Sequence, residues 1–211
     1  MSVVAVLPVK RFATAKQRLG LEQEQRHVLI EAMLEDVLEG IAGARMVERT
    51  IVVTGEPVAV AAAGTFGAEV VEDPSDSGHP EAALLGIARA TELGAGCVAL
   101  LPGDCPLLDP RELDSLLTGV PERSVAIVPD RHGSGTNSLV LSPPDAIRPA
   151  FGEGSRARHE EAARKAGIPF SVEPVASLAL DLDTPADIVA LTRELDAGRG
   201  QAPRTATALG I

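Results

Sequence analysis

The sequence predicts a three-layer α/β fold, in which helices cover both faces of a mostly parallel β-sheet. Apolar runs alternate along the chain with segments whose apolar residues recur at helical spacing, which is the order of a protein built from βαβ units. The apolar runs are continuous, as expected of strands that are buried on both faces. The 211 residues, 45% of them hydrophobic, suffice for a core that needs no stabilising disulfide.

The predicted elements of the first half alternate regularly. The run from Ser2 to Val9 is continuously apolar, which favours a buried strand, and the apolar residues of 22–42 have helical spacing. Asp109 and Glu112 form a variant of the capping box, which predicts the start of a helix. The remaining elements predicted in this half are strands at 50–54, 68–72 and 97–101 and helices at 57–66 and 80–94.

The second half is less regular, which indicates an antiparallel addition at one edge of the sheet. Its predicted elements are strands at 124–128, 138–142 and 170–174 and helices at 155–167 and 184–196. The stretch Gly198–Ile211 has no usable periodicity. We therefore expect one domain, residues 1–197, and a loosely held C-terminal tail, residues 198–211, that is either disordered or docked on a partner subunit.

The charge balance and the aromatic content exclude several function classes. The chain has 19 basic and 30 acidic residues, a net charge of −11, no Trp, no Tyr and four Phe. A nucleic-acid binder needs a basic face and stacking aromatics, and a binder of anionic membranes needs a basic surface, so we expect neither partner. An acidic protein can handle anionic small molecules only through a local basic patch or bound cations.

Three further features favour a cytoplasmic protein. Cys97 and Cys105 make no disulfide framework and are expected to be small buried hydrophobes. The N-terminus is apolar first and basic second, which is the reverse of a signal peptide. No apolar run approaches the roughly 20 residues of a membrane span.

The loop after the first predicted strand is strongly cationic. It carries Lys10, Arg11, Lys16 and Arg18, with no acidic residue before Glu22. In parallel sheets ligands bind at the carboxyl ends of the strands, so this loop lies where an α/β fold holds phosphates, although a solvated basic loop is the alternative. Neither a Walker loop nor the sequence G-x-G-x-x-G occurs, which disfavours P-loop NTPases and ordinary dinucleotide binders.

Carboxylates follow two other predicted elements. Asp104 comes three residues after a buried strand, where it can bind a divalent ion or cap a turn. Thr184 and Asp187 suit a helix start, which leaves Asp181 and Asp183 unexplained. These two lie on one face of an extended segment and repel each other unless a cation lies between them or water screens them. The sequence therefore predicts a metal site.

Two loops combine glycines with hydroxyl groups. Such loops, at 129–138 and 151–159, can direct several backbone N–H groups toward an anion, although plain loops are the alternative. Ser155 is predicted to be the N-cap of a helix whose N-terminus would attract an anion. The four histidines have no metal-ligand spacing, and His27 is expected on a surface helix.

Together these motifs resemble one family. The motifs are Leu-Pro-Val-Lys with Ala-Lys-Gln-Arg-Leu, Pro-Gly-Asp-Cys-Pro-Leu, Asp-Arg-x-Gly-x-Gly-Thr-Asn, Phe-Gly-x-x-Ser-x-x-x-His and Asp-x-Asp-Thr-Pro-Ala-Asp. Over residues 3–196 the chain is similar to the phosphoenolpyruvate/2-phospho-L-lactate guanylyltransferases of coenzyme F-420 biosynthesis (the CofC and FbiD proteins). The resemblance implies a Rossmann-like, glycosyltransferase-A-like nucleotidyltransferase fold.

The resemblance also implies a reaction and a set of site residues. In this family the phosphate of a three-carbon acid attacks the α-phosphorus of GTP, pyrophosphate leaves, and a downstream transferase takes the unstable product. The family uses Mg²⁺, with two ions expected. The implied residues are Asp104, Asp181 and Asp183 for metal, Thr136, Gly152 and Ser155 for the acceptor, Pro8, Lys10, Arg11, Lys16, Glu81, Pro102 and Gly103 for the nucleotide, and Lys10 and Asp104 for catalysis.

The chain departs from the family pattern in one segment. Relatives usually have Leu-Asn-x-Ala where this chain has Pro80-Glu-Ala-Ala83. Glu81 can accept hydrogen bonds from guanine but lacks the amide donor of asparagine. The resemblance therefore predicts the type of reaction better than it predicts which nucleobase is selected. The alternatives are a related nucleotidyltransferase with another base or acceptor, such as 3-phosphoglycerate, and a non-catalytic nucleotide-binding protein. Phosphoenolpyruvate and 2-phospho-L-lactate are not distinguished by any residue.

Overall fold

A mostly parallel β-sheet forms the centre of the molecule. The computed structural model describes residues 1–76 and 78–211. Within them the strands are β1 (Val3–Val9), β2 (Arg49–Thr54), β3 (Glu69–Glu72), β4 (Cys97–Leu100), β5 (Ser124–Pro129), β6 (Thr136–Ser142) and β7 (Phe170–Val172). These seven strands lie in the order β3-β2-β1-β4-β6-β5-β7. β1 pairs parallel with β2 and β4, β2 pairs parallel with β3, and β5 pairs parallel with β7, so the predicted mostly parallel sheet is confirmed.

Helices pack on both faces of this sheet. They are α1 (Gln23–Ala42), α2 (Pro57–Thr65), α3 (His79–Glu92), α4 (Pro110–Leu117), α5 (Ser155–Ala166), α6 (Pro185–Asp196) and α7 (Pro203–Leu209). Successive residues of β1 supply opposite faces: Val3 and Leu7 pack in a core with α1, α2 and α4, and Val6 packs in a core with α3 and α5. Every predicted strand and helix lies within about two residues of its expected bounds. The three-layer architecture is confirmed.

The α3 helix lies very close to the sheet. A Cβ atom added at Gly86 would lie 2.2 Å from Cγ1 of Val6 and 3.0 Å from Cγ2 of Val53. Glycine at this position therefore allows α3 to pack directly over β1 and β2. The same contact fixes the start of α3 above the carboxyl end of β1.

The strands of the second half join the β4 edge of the parallel part of the sheet through a reversed strand, β6, so the predicted antiparallel addition at one edge is confirmed. β6 pairs antiparallel with β4 on one side and with β5 on the other, and β5 pairs parallel with β7. The short β5–β6 loop makes a hairpin, which forces those two strands to run in opposite directions. β6 then fills the place beside β4.

Two predicted helix starts have different outcomes. The capping box of α6 is confirmed, because Thr184 donates its backbone N–H to Oδ2 of Asp187 over 2.7 Å. At α4 only one of the two hydrogen bonds of the predicted capping box forms. Asp109 caps the helix by accepting from the N–H of Arg111, but Glu112 accepts from the N–H of Ser177 instead of the cap residue.

The C-terminal segment is ordered, and the prediction of a loosely held tail is wrong. α7 packs against α1, where Asp36 is buried and accepts hydrogen bonds from the backbone N–H and the hydroxyl of Thr205 over 2.8 and 2.7 Å. Arg204 adds its own N–H to the same carboxylate. The assignment of residues 1–197 to a single domain stays a prediction.

Other expectations concern cysteines and membranes. Cys97 and Cys105 are free and buried, as predicted. Among the described residues no helix is both long and apolar enough to cross a membrane.

We predict that Asp36→Ala lowers the free energy of unfolding by about 2–4 kcal/mol, because it leaves the buried polar groups of Thr205 without an acceptor. Glu39→Ala on the same helix removes an exposed ion pair with Arg204 and is the matched control, with an expected loss of at most about 1 kcal/mol. Urea unfolding followed by circular dichroism measures both. Equal losses would show that the buried carboxylate does not hold α7 in place.

Candidate active site

A cavity of about 360 Å³ opens at the carboxyl ends of β1 and β4. These strands are neighbours, and the helices that follow β1 and β3 lie on opposite faces of the sheet. Such a switch point is where α/β proteins bind ligands. The lining residues are Pro8, Val9, Lys10, Thr14, Ala15, Lys16, Arg18, Ile30, Met33, Leu34, His79, Pro102, Gly103, Asp104 and Asp183.

Three carboxylates meet beside this cavity, and two of them, Asp104 and Asp183, line it. Asp104, Asp181 and Asp183 can each offer an oxygen such that all three atoms lie within 4.8 Å of one another. Backbone pairing brings them together, because Leu182 donates its N–H to the carbonyl oxygen of Asp104 over 3.1 Å. Asn137 of β6 donates to Oδ1 of Asp181 over 3.3 Å. The two segments that the sequence predicts to carry metal ligands are therefore joined into one group.

The ammonium group of Lys16 lies among these carboxylates. It is in contact with Asp104 and lies 2.6 Å from Oδ1 of Asp183, and only 12% of its side chain is exposed. Lys16 has a φ of 54°, a left-handed conformation that non-glycine residues rarely adopt. Burial by itself lowers the pKa of Lys16, but the two carboxylates outweigh burial and raise that pKa. The lysine is therefore a buried, charged partner of the carboxylate group.

The pKa values of Asp181 and Asp183 are shifted in opposite directions. Burial raises the pKa of Asp181, and the charge of Asp104 adds to the increase. Burial also acts to raise the pKa of Asp183, but Lys16 and Arg18 outweigh it and lower the pKa. Of these two carboxylates, Asp183 is the one whose negative charge is better compensated.

The donor set of this group fits a divalent cation. Oxygen ligands from carboxylates are those that Mg²⁺ prefers. The Lys16 ammonium lies between two of the carboxylates, so a positive charge already stands at this position.

The predicted acceptor residues lie at the start of β6 and at the start of α5. They are beside the carboxylates but do not line the cavity. Thr136 begins β6, and its Oγ1 lies 3.0 Å from Nδ1 of His159. Gly152 is exposed, with a φ of 106°. Ser155 is not the N-cap that the sequence predicts: Gly154 takes that place with a φ of 66°, and Ser155 is the first residue of α5. Its Oγ is buried and has no hydrogen-bond partner among the described residues.

Two predicted nucleotide residues lie away from the cavity lining. Arg11 is exposed and donates to the carbonyl oxygen of Pro74 over 3.5 Å. Glu81 is exposed at the start of α3, 3.9 Å from the guanidinium of Arg148.

One cavity residue was missed from the sequence. His79 lines the cavity, and burial lowers its pKa to about 4, with Lys10 and Lys16 opposing the effect of Asp104. Its position just before Pro80, at the start of a helix that follows the strand ends, is the sequence signal that could have identified it.

A chain of rings connects the cavity to the predicted acceptor residues. The centroid of the His79 ring lies 4.7 Å from that of Phe151, and the centroid of Phe151 lies 5.3 Å from that of His159. Both contacts are edge-to-face. The carboxylate cavity and the loop around Thr136 are therefore adjacent parts of one site.

Comparison with solved structures finds the same architecture in other proteins. A nucleotidyl transferase from Methanothermobacter has a TM-score of 0.70 at 16% identity, with 93% of this chain and 99% of that chain covered. The CMP:2-keto-3-deoxy-manno-octonic acid synthetase complexed with CTP has a TM-score of 0.62 at 17% identity, with 94% and 99% covered. At these identities the likeness shows the fold.

Comparison with sequences is more specific. A phosphoenolpyruvate guanylyltransferase from Conexibacter woesei is 46% identical over 97% of this chain and 94% of the relative. The protein of the same name from Sphaerobacter thermophilus is 40% identical over 94% and 96%. The family model described as "Guanylyl transferase CofC like" matches residues 3–197. The chain therefore belongs to the CofC-like guanylyl transferase family.

Proposed function

We propose that this protein transfers GMP from GTP to the phosphate of phosphoenolpyruvate and releases pyrophosphate, as a step of coenzyme F-420 biosynthesis. The observation that carries the proposal is the close, nearly full-length similarity to relatives named phosphoenolpyruvate guanylyltransferase. The carboxylate group beside a cationic loop, at the switch point of the sheet, supports it. The names of those relatives support phosphoenolpyruvate, rather than 2-phospho-L-lactate, as the acceptor of this protein.

Charge is the main obstacle to this reaction. A phosphorylated acid must approach a triphosphate, and each pair of unit charges 4 Å apart costs about 1 kcal/mol in water and several times more inside a protein. Lys10 and Arg18 line the cavity and can face the triphosphate. In the proposal Lys10 neutralises charge on the departing phosphates, which favours the transition state.

The reaction requires no general base, because the attacking phosphate is already an anion. His79 agrees with this, since its lowered pKa of about 4 keeps the ring neutral at pH 7. Neutral His79 can contact an anionic substrate without repelling it and without removing a proton. The contribution of the protein is then alignment for in-line attack and compensation of charge.

Asp104, Asp181 and Asp183 are the residues that would hold Mg²⁺, as two ions in the proposal. When bound, Mg²⁺ supplies positive charge that reduces repulsion between the substrates and stabilises the leaving pyrophosphate. Asp104 also fixes the segment of Asp181 and Asp183 through its backbone carbonyl. The arrangement of the three carboxylates is thereby tied to the end of β4.

Thr136, Gly152 and Ser155 are the proposed acceptor residues. The Ser155 hydroxyl is buried and has no hydrogen-bond partner among the residues that the structure describes, which is costly unless a ligand supplies one. It lies at the N-terminus of α5, where the helix dipole favours an anion. These two properties support binding of the phosphate or carboxylate of the acceptor here.

The first test measures pyrophosphate release by the purified protein with each nucleotide and acceptor. We expect release with GTP and phosphoenolpyruvate in the presence of Mg²⁺, slower release with ATP or CTP, and none after removal of divalent cations. Single-turnover conditions avoid dependence on a downstream enzyme that takes the unstable product. Absence of release with every combination would refute the enzyme proposal, and preference for 3-phosphoglycerate would refute the acceptor.

The second test replaces the carboxylates. Asp104→Asn and Asp183→Asn are expected to reduce the rate by about a hundredfold or more, because the metal loses an anionic ligand worth several kcal/mol in the transition state. Asp145→Asn, at an exposed loop position, is the matched control and is expected to leave the rate unchanged. Circular dichroism verifies that all three variants are folded. A near-normal rate in either site variant would contradict the metal assignment.

The third test concerns Ser155. Ser155→Ala is expected to raise the KM for phosphoenolpyruvate about tenfold while the KM for GTP changes by less than twofold, since the lost hydroxyl contacts only the acceptor. Ser115→Ala, an exposed serine of α4, is the control. Equal increases of both KM values would remove Ser155 from the acceptor site.

A further inference from the structure

His159 joins the three chain segments that carry the proposed acceptor residues. Its ring extends from α5, one helical turn after Ser155. Nδ1 lies 3.0 Å from Oγ1 of Thr136, and Nε2 accepts the backbone N–H of Ala150 over 2.8 Å. Ala150 lies two residues before Gly152. One buried side chain therefore contacts the start of β6, the glycine loop and the helix that begins with Ser155.

The contact with Ala150 determines which nitrogen of His159 carries the proton. A backbone N–H can only donate, so Nε2 must be the unprotonated nitrogen. A neutral imidazole then has its proton on Nδ1 and donates it to Oγ1 of Thr136. In a doubly protonated ring, the Nε2–H of His159 would face the backbone N–H of Ala150, and two donors cannot form a hydrogen bond. Burial, assisted by the charge of Arg158, also lowers the pKa of His159 to about 4.

The state of His159 determines the polarity of Thr136. Because Oγ1 accepts from the imidazole, the hydroxyl hydrogen of Thr136 must point elsewhere, and among the described residues it has no acceptor. A hydroxyl whose lone pair is engaged in this way is a donor toward a ligand. Such a donor suits an anion.

Arg158 acts on the same glycine loop from outside. Its guanidinium donates to the carbonyl oxygens of Ala150 and Phe151 over 2.9 and 3.1 Å and also contacts that of Glu153. These bonds turn the loop carbonyls toward the arginine. The backbone N–H groups of residues 152–154 have no hydrogen-bond acceptor among the described residues. The loop therefore has backbone N–H groups that a ligand could use, while its carbonyl oxygens are engaged by Arg158.

We propose that His159, in its neutral Nδ1–H form, is the positioning residue of the acceptor site, which orients the Thr136 hydroxyl as a donor to the anionic acceptor and holds the glycine loop beside it. The proposal rests on the proposed function, because it takes the acceptor to be a phosphorylated acid bound at Thr136, Gly152 and Ser155. His159 itself does not touch the substrate. It acts through Thr136 and through the backbone at Ala150.

Three substitutions separate this role from a packing role. His159→Phe keeps a ring against Phe151 but removes both nitrogens. His159→Asn keeps an N–H donor near the position of Nδ1, and His159→Gln places its amide near Nε2. His27→Phe is the matched control. His27 also packs edge-to-face on a phenylalanine, Phe12, and its buried Nε2 has no hydrogen-bond partner in the described part of the chain.

We expect His159→Phe to raise the KM for phosphoenolpyruvate at least tenfold, as for the loss of a hydrogen bond to a charged group, with the KM for GTP changed less than twofold. His159→Asn should recover most of the loss and His159→Gln less, and His27→Phe should resemble the unsubstituted protein. Equal increases of the two KM values, or no recovery by asparagine, would overturn the proposal. Thermal unfolding of each variant identifies those that fold, and the asparagine and glutamine pair decides the matter if the phenylalanine variant does not.

A second measurement does not depend on turnover. Nitrogen-15 NMR of the histidine side chains at pH 7 should show His159 as the neutral Nδ1–H tautomer. The Nε2–H tautomer or the cation would overturn the inference. If the protein releases no pyrophosphate with phosphoenolpyruvate, the proposed function fails, while the NMR result still decides the state of His159 and the polarity of Thr136.

Discussion

The site depends on keeping three carboxylates close together at the carboxyl ends of buried strands. Such a group is unfavourable by itself, because like charges repel and burial removes the water that would screen them. The ammonium of Lys16 lies among them and compensates two of the three charges. The loop after β1 must therefore fold back over the end of β4, and the left-handed backbone at Lys16 is part of that path. The cationic loop and the acidic group are two parts of one electrostatic arrangement.

Much of the fold could be predicted because its signals are local. The continuous apolar run of β1 and the Thr184–Asp187 capping box are complete within a few residues, and the structure confirms both. α7 has no comparable signal. It is short, and it is held by hydrogen bonds between Thr205 and Asp36, residues far apart in the sequence. Short helices take their stability from such tertiary contacts, which composition and periodicity do not contain.

The carboxylate group of the candidate site was more predictable from the sequence than the start of α5. The spacing of Asp181 and Asp183 favours a cation between them over screening by water, and the structure joins them with Asp104. The identity of the nearest cation was not predictable, because which lysine of a basic loop turns inward depends on backbone angles such as φ at Lys16. The N-cap of α5 was assigned to Ser155 on residue type. Gly154 takes that position through its left-handed conformation, and the buried serine hydroxyl has no partner within residues 1–76 and 78–211.

The reversed direction of β6 has a consequence for how such a site can diversify. A parallel strand offers its last residues to the carboxyl edge of the sheet, whereas β6 runs the other way and offers its first, including Thr136. The β5–β6 hairpin loop thus contributes to the same edge as the loops after β1 and β4. Its length and composition can change without altering the strands that carry the cationic loop and Asp104. The proposed nucleotide residues and the proposed acceptor residue Thr136 are thereby carried by different loops of one sheet edge, and one loop can change while the other stays the same.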